Sequence, residues 1–381
     1  MKLGYFDNAA TTYQKPEGMY EYMSSFMMQN GVNVGRENNI FSSNATRLVG
    51  ETRKLLLSLV HAPETREVVF CPSATIALNT ILFGQALKSD DCVYISRFEH
   101  NAVLRVLHKI QKYTSINIKY IRMLGSDPFS FDLKGLEHDF AEFNPKLVIV
   151  SQVSNVVGNI APVDEISLLA KKYNATTILD AAQACGLVDV NLHNIDYYVF
   201  AGHKTLLGPM GIGGFICDKY TNLQPYLYGG TGIDSANLDM PSEIPSRFEA
   251  GSLNLMAIAG LHYSLTWLES NIHDVREKEK ANRIKLFDIL SKYAFAEIVS
   301  PRENASSIVA CRIKNYTSDE FGRILSERGI AVRTGLHCAP DTHKYLKSFP
   351  EGLVRFSISC LTTDEDFAKL DATLEEISFE L

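Results

Sequence analysis

Tyr197-Tyr-Val-Phe-Ala-Gly-His-Lys-Thr-Leu-Leu-Gly-Pro-Met-Gly-Ile-Gly-Gly214 is the stretch from which the fold of this 381-residue chain is read. The apolar run Tyr197–Phe200 reads as a short buried strand. It ends in Ala-Gly, then His203-Lys204, then a glycine-rich turn and a second apolar run, Phe215–Cys217. A lone lysine is ordinarily a solvated surface residue. At the end of a strand and between glycines, however, Lys204 has its position set by backbone. That suits Schiff-base chemistry, in which an amine must meet a carbonyl at one geometry.

Upstream lies Thr177-Ile-Leu-Asp-Ala-Ala-Gln-Ala-Cys-Gly186. It reads as another strand, ending in Asp180, with Gln183 three residues on. A carboxylate at a strand's C-terminal end points into the crevice where open α/β sheets bind ligands. There Asp180 suits the protonated ring nitrogen of pyridoxal phosphate (PLP), and Gln183 suits its phenolic oxygen. Asp-x-x-Gln followed by Gly-His-Lys resembles the fold-type I PLP enzymes of the class V aminotransferase family, and within it the cysteine desulfurase and selenocysteine lyase branch (SufS-like). The resemblance runs from Tyr5-Phe-Asp-Asn-Ala-Ala-Thr-Thr12 to Val354-Arg-Phe-Ser357. It implies an α/β fold: a large domain with a mainly parallel, seven-stranded-type sheet, and a small C-terminal α+β domain.

Composition agrees with a globular enzyme. Apolar content of 46% and charged content of 21% indicate an ordinary soluble chain. A net charge of −7 leaves no basic footprint for nucleic acid. No apolar run is long enough to span a membrane, and the N-terminus carries no signal-peptide pattern. Seven scattered cysteines with no Cys-x-x-Cys suggest neither zinc nor disulfides and fit a reducing cytoplasm.

Strands alternating with helices through residues 65–217 argue a mainly parallel sheet. Glu67-Val-Val-Phe-Cys-Pro-Ser-Ala-Thr-Ile-Ala reads as strand, turn, helix, with Ser73 as N-cap. A helix start offers free amides and a positive dipole end, hence an anion site. In this register the resemblance makes Ala74 and Thr75 ligands of the PLP phosphate. The strand Cys92–Ser96 leads to Arg97-Phe-Glu-His-Asn101, and the resemblance stacks His100 on the cofactor ring. Imidazole there can also move protons. After the strand Leu147–Ser151, Asn155 matches the family's Ser-Asn-x-x-Gly asparagine, beside the phenolic oxygen and the substrate carboxylate. Under the resemblance His203 is expected as a further phosphate contact.

Residues 225–252 form a long connection with little periodicity, which usually signals function. Its Arg247-Phe-Glu-Ala-Gly-Ser-Leu-Asn254 resembles a family segment whose hydroxyl, here Ser252, completes the phosphate site of the neighbouring subunit. Asn33 and Arg36 in the loop Asn30–Asn39 resemble the entrance loop that reaches toward the partner. The resemblance therefore implies a homodimer with shared sites. Helices are expected over 17–29, 42–60, 254–270, 273–293, 317–328 and 363–378, and strands over 307–313, near 330–333 and over 353–358. The expected domains are 15–260, which binds PLP, and 261–381 with 1–14, which carries the cysteine loop.

That loop is Arg333-Thr-Gly-Leu-His-Cys-Ala-Pro340. It resembles the branch's Arg-x-Gly-x-His-Cys-Ala, whose cysteine takes sulfur as a persulfide; here it is Cys338. The thiolate is the reactive form, and cationic neighbours favour it. The other cysteines read as small core residues, with Cys185 near Asp180 kept in view. Arg355 matches the arginine that forks onto the amino-acid carboxylate, with Arg333 as a second contact or a support of the loop. Departures are Ala74 and Ala201, which lack hydroxyls the family uses on phosphate, and Leu336 beside the His-Cys pair. The implied activity converts L-cysteine to L-alanine, with Lys204 moving the Cα proton and Cys338 passing sulfur to an acceptor protein or thiol. Alternatives are a selenocysteine lyase or other C–S lyase acting on L-selenocysteine, a class V aminotransferase, and a PLP-free scaffold partner.

Overall fold

The computed structural model describes residues 3–35, 39–233 and 235–380. Arg36, placed at the entrance by resemblance, lies outside them. The seven-stranded sheet runs in the order Arg66–Cys71, Gly213–Asp218, Tyr197–Ala201, Thr176–Asp180, Leu147–Ser151, Cys92–Ile95, Asn117–Tyr120. Six strands are parallel, and only Gly213–Asp218 opposes its neighbours. The strands Leu147–Ser151 and Tyr197–Ala201 are buried at every position. Their unbroken apolar runs are what a strand covered on both faces requires. Two clusters of apolar side chains, one around Phe70, Phe200 and Leu179 and one around Val69, Val199 and Ile178, occupy the two faces.

A second sheet, order Arg333–Gly335, Leu353–Ser357, Ile308–Ile313, Ala296–Ile298, is antiparallel throughout. Its core gathers Val309, Phe321, Phe356, Phe367 and Leu374. Gly4–Tyr5 pairs with Ile330–Ala331, so the N-terminus returns to this part of the molecule. The segment Arg333–Gly335 is a strand of its own, separate from Ile330–Ala331, and a short helix, Pro340–Tyr345, follows the cysteine; neither was expected.

The two helices expected over 254–270 and 273–293 are a single helix, Leu255–Ser291, about 55 Å long. Polar residues lie near its middle, Ser270, Asn271, His273 and Asp274. No glycine or proline interrupts 261–291, and Asn271 Nδ2 donates back to the Trp267 carbonyl at 2.7 Å. That polar side chain is satisfied inside the helix and does not end it. The helix enters one core with Ile258, Leu261 and Leu265 and the other with Leu286, Ile289 and Leu290. Between Asp218 and Leu255 the described residues form neither helix nor strand.

Candidate active site

The parallel strands all end at one edge of the sheet, where the strand order also reverses, and such an edge is where open α/β sheets bind ligands. Ala74, Thr75, His100, Asn155, Asp180, Gln183, His203 and Lys204 follow these strand ends and line one chamber there. The fold thus collects residues spread over 131 positions of sequence, from Ala74 to Lys204.

The anion end is the helix Ala74–Gly84. Ser73 caps it, its hydroxyl accepting the Ile76 amide at 3.3 Å. Helix geometry leaves the Ala74 and Thr75 amides without intrahelical acceptors. Gly213, on the neighbouring strand, permits this placement: a Cβ there would stand 2.8 Å from the Ala74 nitrogen and 2.9 Å from the Ser73 carbonyl carbon.

At the opposite end, Asp180 Oδ1 accepts the Ala182 amide at 3.0 Å. Lys204 is held by its backbone, with its carbonyl accepting the Thr12 hydroxyl at 2.9 Å. Burial pushes its ammonium down to about 8; Arg355 pushes the same way, while Asp180 and Cys338 oppose. The shift raises the neutral fraction of the amine near neutral pH, which a nucleophilic amine needs. His100 Nδ1 accepts the Ala102 amide at 3.0 Å and so caps the helix Asn101–Thr114. Burial lowers its pKa, and in the neutral ring the proton therefore sits on Nε2. His203 is pushed down to about 4 by burial and by Lys204 and Lys15.

Arg355 is buried. It donates to the Asn155 carbonyl at 2.8 Å and to Asp7 Oδ1 at 2.9 Å. Register places Arg333 opposite Arg355, and Arg333 Nε lies 3.8 Å from Asp7 Oδ2. Two guanidiniums share one carboxylate, which leaves a net positive charge for an incoming anion. Cys338 is exposed, whereas the other six thiols are buried. Its turn is docked on the chamber: Asn155 Nδ2 donates to the His337 carbonyl at 2.7 Å and the Asn101 amide to the Cys338 carbonyl at 2.7 Å. Cys185, considered on sequence, packs in the core, where burial pushes its thiol up to about 12; such a thiol is inert.

Gln183 spends one amide hydrogen on the Ala9 carbonyl at 2.8 Å and keeps a second. Asn33 and Ser252 are exposed, and the lining of the chamber within this chain does not include them. Sequence reasoning gave no role to three side chains, although the resemblance put the turn of Asp7 at the mouth of the site. Asp7 ties the arginines. Ser151 lines the chamber. Glu99 lies buried beneath it, Oε1 accepting the Ser96 hydroxyl at 2.5 Å and the Ser151 amide at 2.7 Å, and Oε2 the Ser151 hydroxyl at 3.0 Å. The available signal was an acid in the short segment between the strand Cys92–Ile95 and the helix cap His100.

Buried atoms without partners mark where a polar ligand belongs: Asn155 Oδ1 and His203 Nδ1 both face this problem among the described residues. Together with the helix start, Asp180 and Lys204, their chemistry fits PLP: free amides that would take a phosphate, a carboxylate that would pair with a ring nitrogen, and an amine that would meet a carbonyl carbon.

The fold and the lysine-centred chamber define a type I PLP-dependent enzyme. Comparison bears this out. The Aminotransferase class-V model matches residues 4–370. A probable cysteine desulfurase of Xylella fastidiosa (strain 9a5c) is 28% identical over 98% of this chain and 90% of its own length. Another, from Pyrococcus abyssi, is 29% identical over 98% of this chain and 94% of its own length. The apo structure of a cysteine desulfurase from Thermococcus onnurineus NA1 superposes with a TM-score of 0.90 at 27% identity, covering 100% of this chain and 95% of that one. The chain belongs to the Aminotransferase class-V family, and membership implies PLP as cofactor. No helix among the described residues is long and apolar enough to cross a membrane.

Proposed function

We propose that this protein is a PLP-dependent cysteine desulfurase that converts L-cysteine to L-alanine and retains the sulfur on Cys338. The carrying observation is the exposed Cys338, on a turn bonded directly to the chamber of Lys204 and Asp180. The names of the relatives point the same way.

When bound, PLP supplies a carbonyl carbon for amines and a ring that accepts electron density. Lys204 is the amine that holds it, and later the base at the substrate Cα. Asp180 holds the proton on the ring nitrogen. The Ala74 and Thr75 amides, with His203, take the phosphate, and Ala201 contributes no hydroxyl. Gln183 and Asn155 address the phenolic oxygen. Arg355, supported by Arg333, takes the substrate carboxylate, and His100, neutral with its proton on Nε2, can exchange a proton with the substrate thiol. Cys338 Sγ takes the substrate sulfur: an S–S bond forms, the Cβ–S bond breaks, and a solvent proton completes alanine.

The exposed Ser252 and Asn33 suit a homodimer in which each subunit completes its partner's site, and Arg36 belongs with them by its place in sequence. The division into 15–260 and 261–381 with 1–14 then falls inside the helix Leu255–Ser291, which joins the two parts. Seven free thiols suit a reducing, cytoplasmic setting and delivery of sulfur to an acceptor protein.

The test measures alanine formation from L-cysteine, with and without reductant, in wild type and Cys338→Ala. Reductant-stimulated release that collapses in the variant supports the reading. Activity that survives the substitution, on L-cysteine or L-selenocysteine, replaces it with a lyase. Amino transfer to an oxo acid, indifferent to Cys338, replaces it with an aminotransferase.

A further inference from the structure

Cys338 sits in an unfavourable backbone conformation. His337 and Cys338 have φ of 48° and 55°, two consecutive left-handed residues with side chains. Such strain persists only where surrounding contacts over-determine it. The Asn155 side-chain amide and the Asn101 backbone amide hold the carbonyl side of this turn. A chain of buried side chains holds the other side. His337 Nε2 lies 3.3 Å from the Arg333 carbonyl, His337 Nδ1 3.2 Å from His343 Nε2, and His343 Nδ1 2.8 Å from the Ser348 hydroxyl.

The protons in this chain are placed by elimination. A carbonyl only accepts, so His337 Nε2 carries hydrogen. In a neutral ring Nδ1 then accepts, and His343 Nε2 must donate to it. His343 Nδ1 is left to accept from Ser348. Hydrogen bonds thus run one way: Ser348 to His343, to His337, to the Arg333 carbonyl. A second proton on either ring would set a donor against a donor or leave the Ser348 hydroxyl without its acceptor. Burial keeps both rings neutral, pushing His343 down to about 4, and the Arg355 and Arg333 charges act in the same direction on His337. None of the three side chains lines the Lys204 chamber.

We propose that His343 is a positioning residue for Cys338: its Nε2–H locks the His337 ring, and the ring, tied to the Arg333 carbonyl, holds the His337–Cys338 turn left-handed with the thiol toward the substrate sulfur. This rests on the reading of Cys338 as sulfur acceptor. Glutamine and asparagine separate the role from simple packing. His343→Gln carries an amide nitrogen at the reach of Nε2. His343→Asn carries one at the reach of Nδ1 and cannot meet His337.

The experiment uses the PLP-bound enzyme. It measures kcat and KM for alanine formation, and separately the alkylation rate of Cys338 by iodoacetamide, followed on its peptide. A misplaced reacting atom costs about 10- to 100-fold in rate. His343→Asn is therefore expected to lose about that much kcat, with KM for L-cysteine within about twofold. Its Cys338 alkylation rate shifts from the wild-type value, and His343→Gln restores both quantities. Equal losses in the two variants, or wild-type kcat and alkylation in His343→Asn, overturn the proposal. If Cys338→Ala retains full alanine formation, the acceptor reading fails instead, while the alkylation rates still decide whether His343 sets the turn.

Discussion

Glu99→Gln tests how the floor of the chamber is charged. Burial pushes the Glu99 carboxyl up to about 8 from 4.5; Asp180 adds to the rise, while the bonds from Ser96 and Ser151 oppose it. A raised folded pKa means that, between about 4.5 and 8, the folded state holds a proton the unfolded chain has released. Stability therefore falls as pH rises through that window. Below about 6.5 the effect is masked. His100, His203, His262, His337 and His343 all have lowered values, so they make stability rise with pH there. Above about 6.5 the histidine effect fades, and because variant and wild type share it, it cancels in the difference between them. Lys15 and Lys204, lowered to about 8, act mainly at higher pH. Glu279, raised to about 7, contributes only at the lower end.

In the difference between Glu99→Gln and wild type, the window from about pH 6.5 to 8 thus reports Glu99. One pKa unit is worth about 1.4 kcal/mol, so the loss over that window is about 2 kcal/mol. Glutamine keeps an acceptor for Ser96 and the Ser151 amide and turns its NH2 toward the Ser151 hydroxyl, but it cannot titrate. Urea unfolding at both ends of the window, with PLP saturating, reads the result. The difference between variant and wild type is expected to move by about 2 kcal/mol in favour of the variant as pH rises. Parallel pH dependences would refute the reasoning and show Glu99 ionised in the fold throughout.

Other consequences are testable. Arg53→Ala strands Glu249, a buried carboxylate that accepts Arg53 at 2.7 and 2.6 Å and the Phe70 amide at 2.7 Å; a loss of about 3–5 kcal/mol is expected, read as a lowered urea midpoint. Gly213→Ala drives a Cβ against the Ala74 nitrogen, the Ser73 carbonyl carbon and the Phe200 carbonyl oxygen, all backbone. The helix start must shift, and PLP affinity is expected to fall about tenfold or more, measured by fluorescence titration of the apo protein. Borohydride reduction of the loaded enzyme is expected to fix PLP on the Lys204 peptide, and Lys204→Ala to abolish that label.

Much of this protein was legible in its sequence because local chemistry carries it. Continuous apolar runs mark buried parallel strands, so the sheet and the strand-end positions of Asp180 and Lys204 follow from spacing. The Ser73 cap announces the helix start. The long helix was misjudged, because polar residues at its middle look like a boundary until Asn271 is seen bonding back to Trp267. Only tertiary structure brings Asp7 to Arg355, 348 residues away, or sets Arg333 across from Arg355. It alone shows Glu99 buried under the chamber and His343 behind Cys338. Those relations depend on which surfaces meet and how far water is excluded, and no periodicity or spacing along the chain encodes either. Residue types and local rhythm determined the sheet, and the resemblance carried by its motifs named the candidate reactive groups, while packing decided their charge states and orientation.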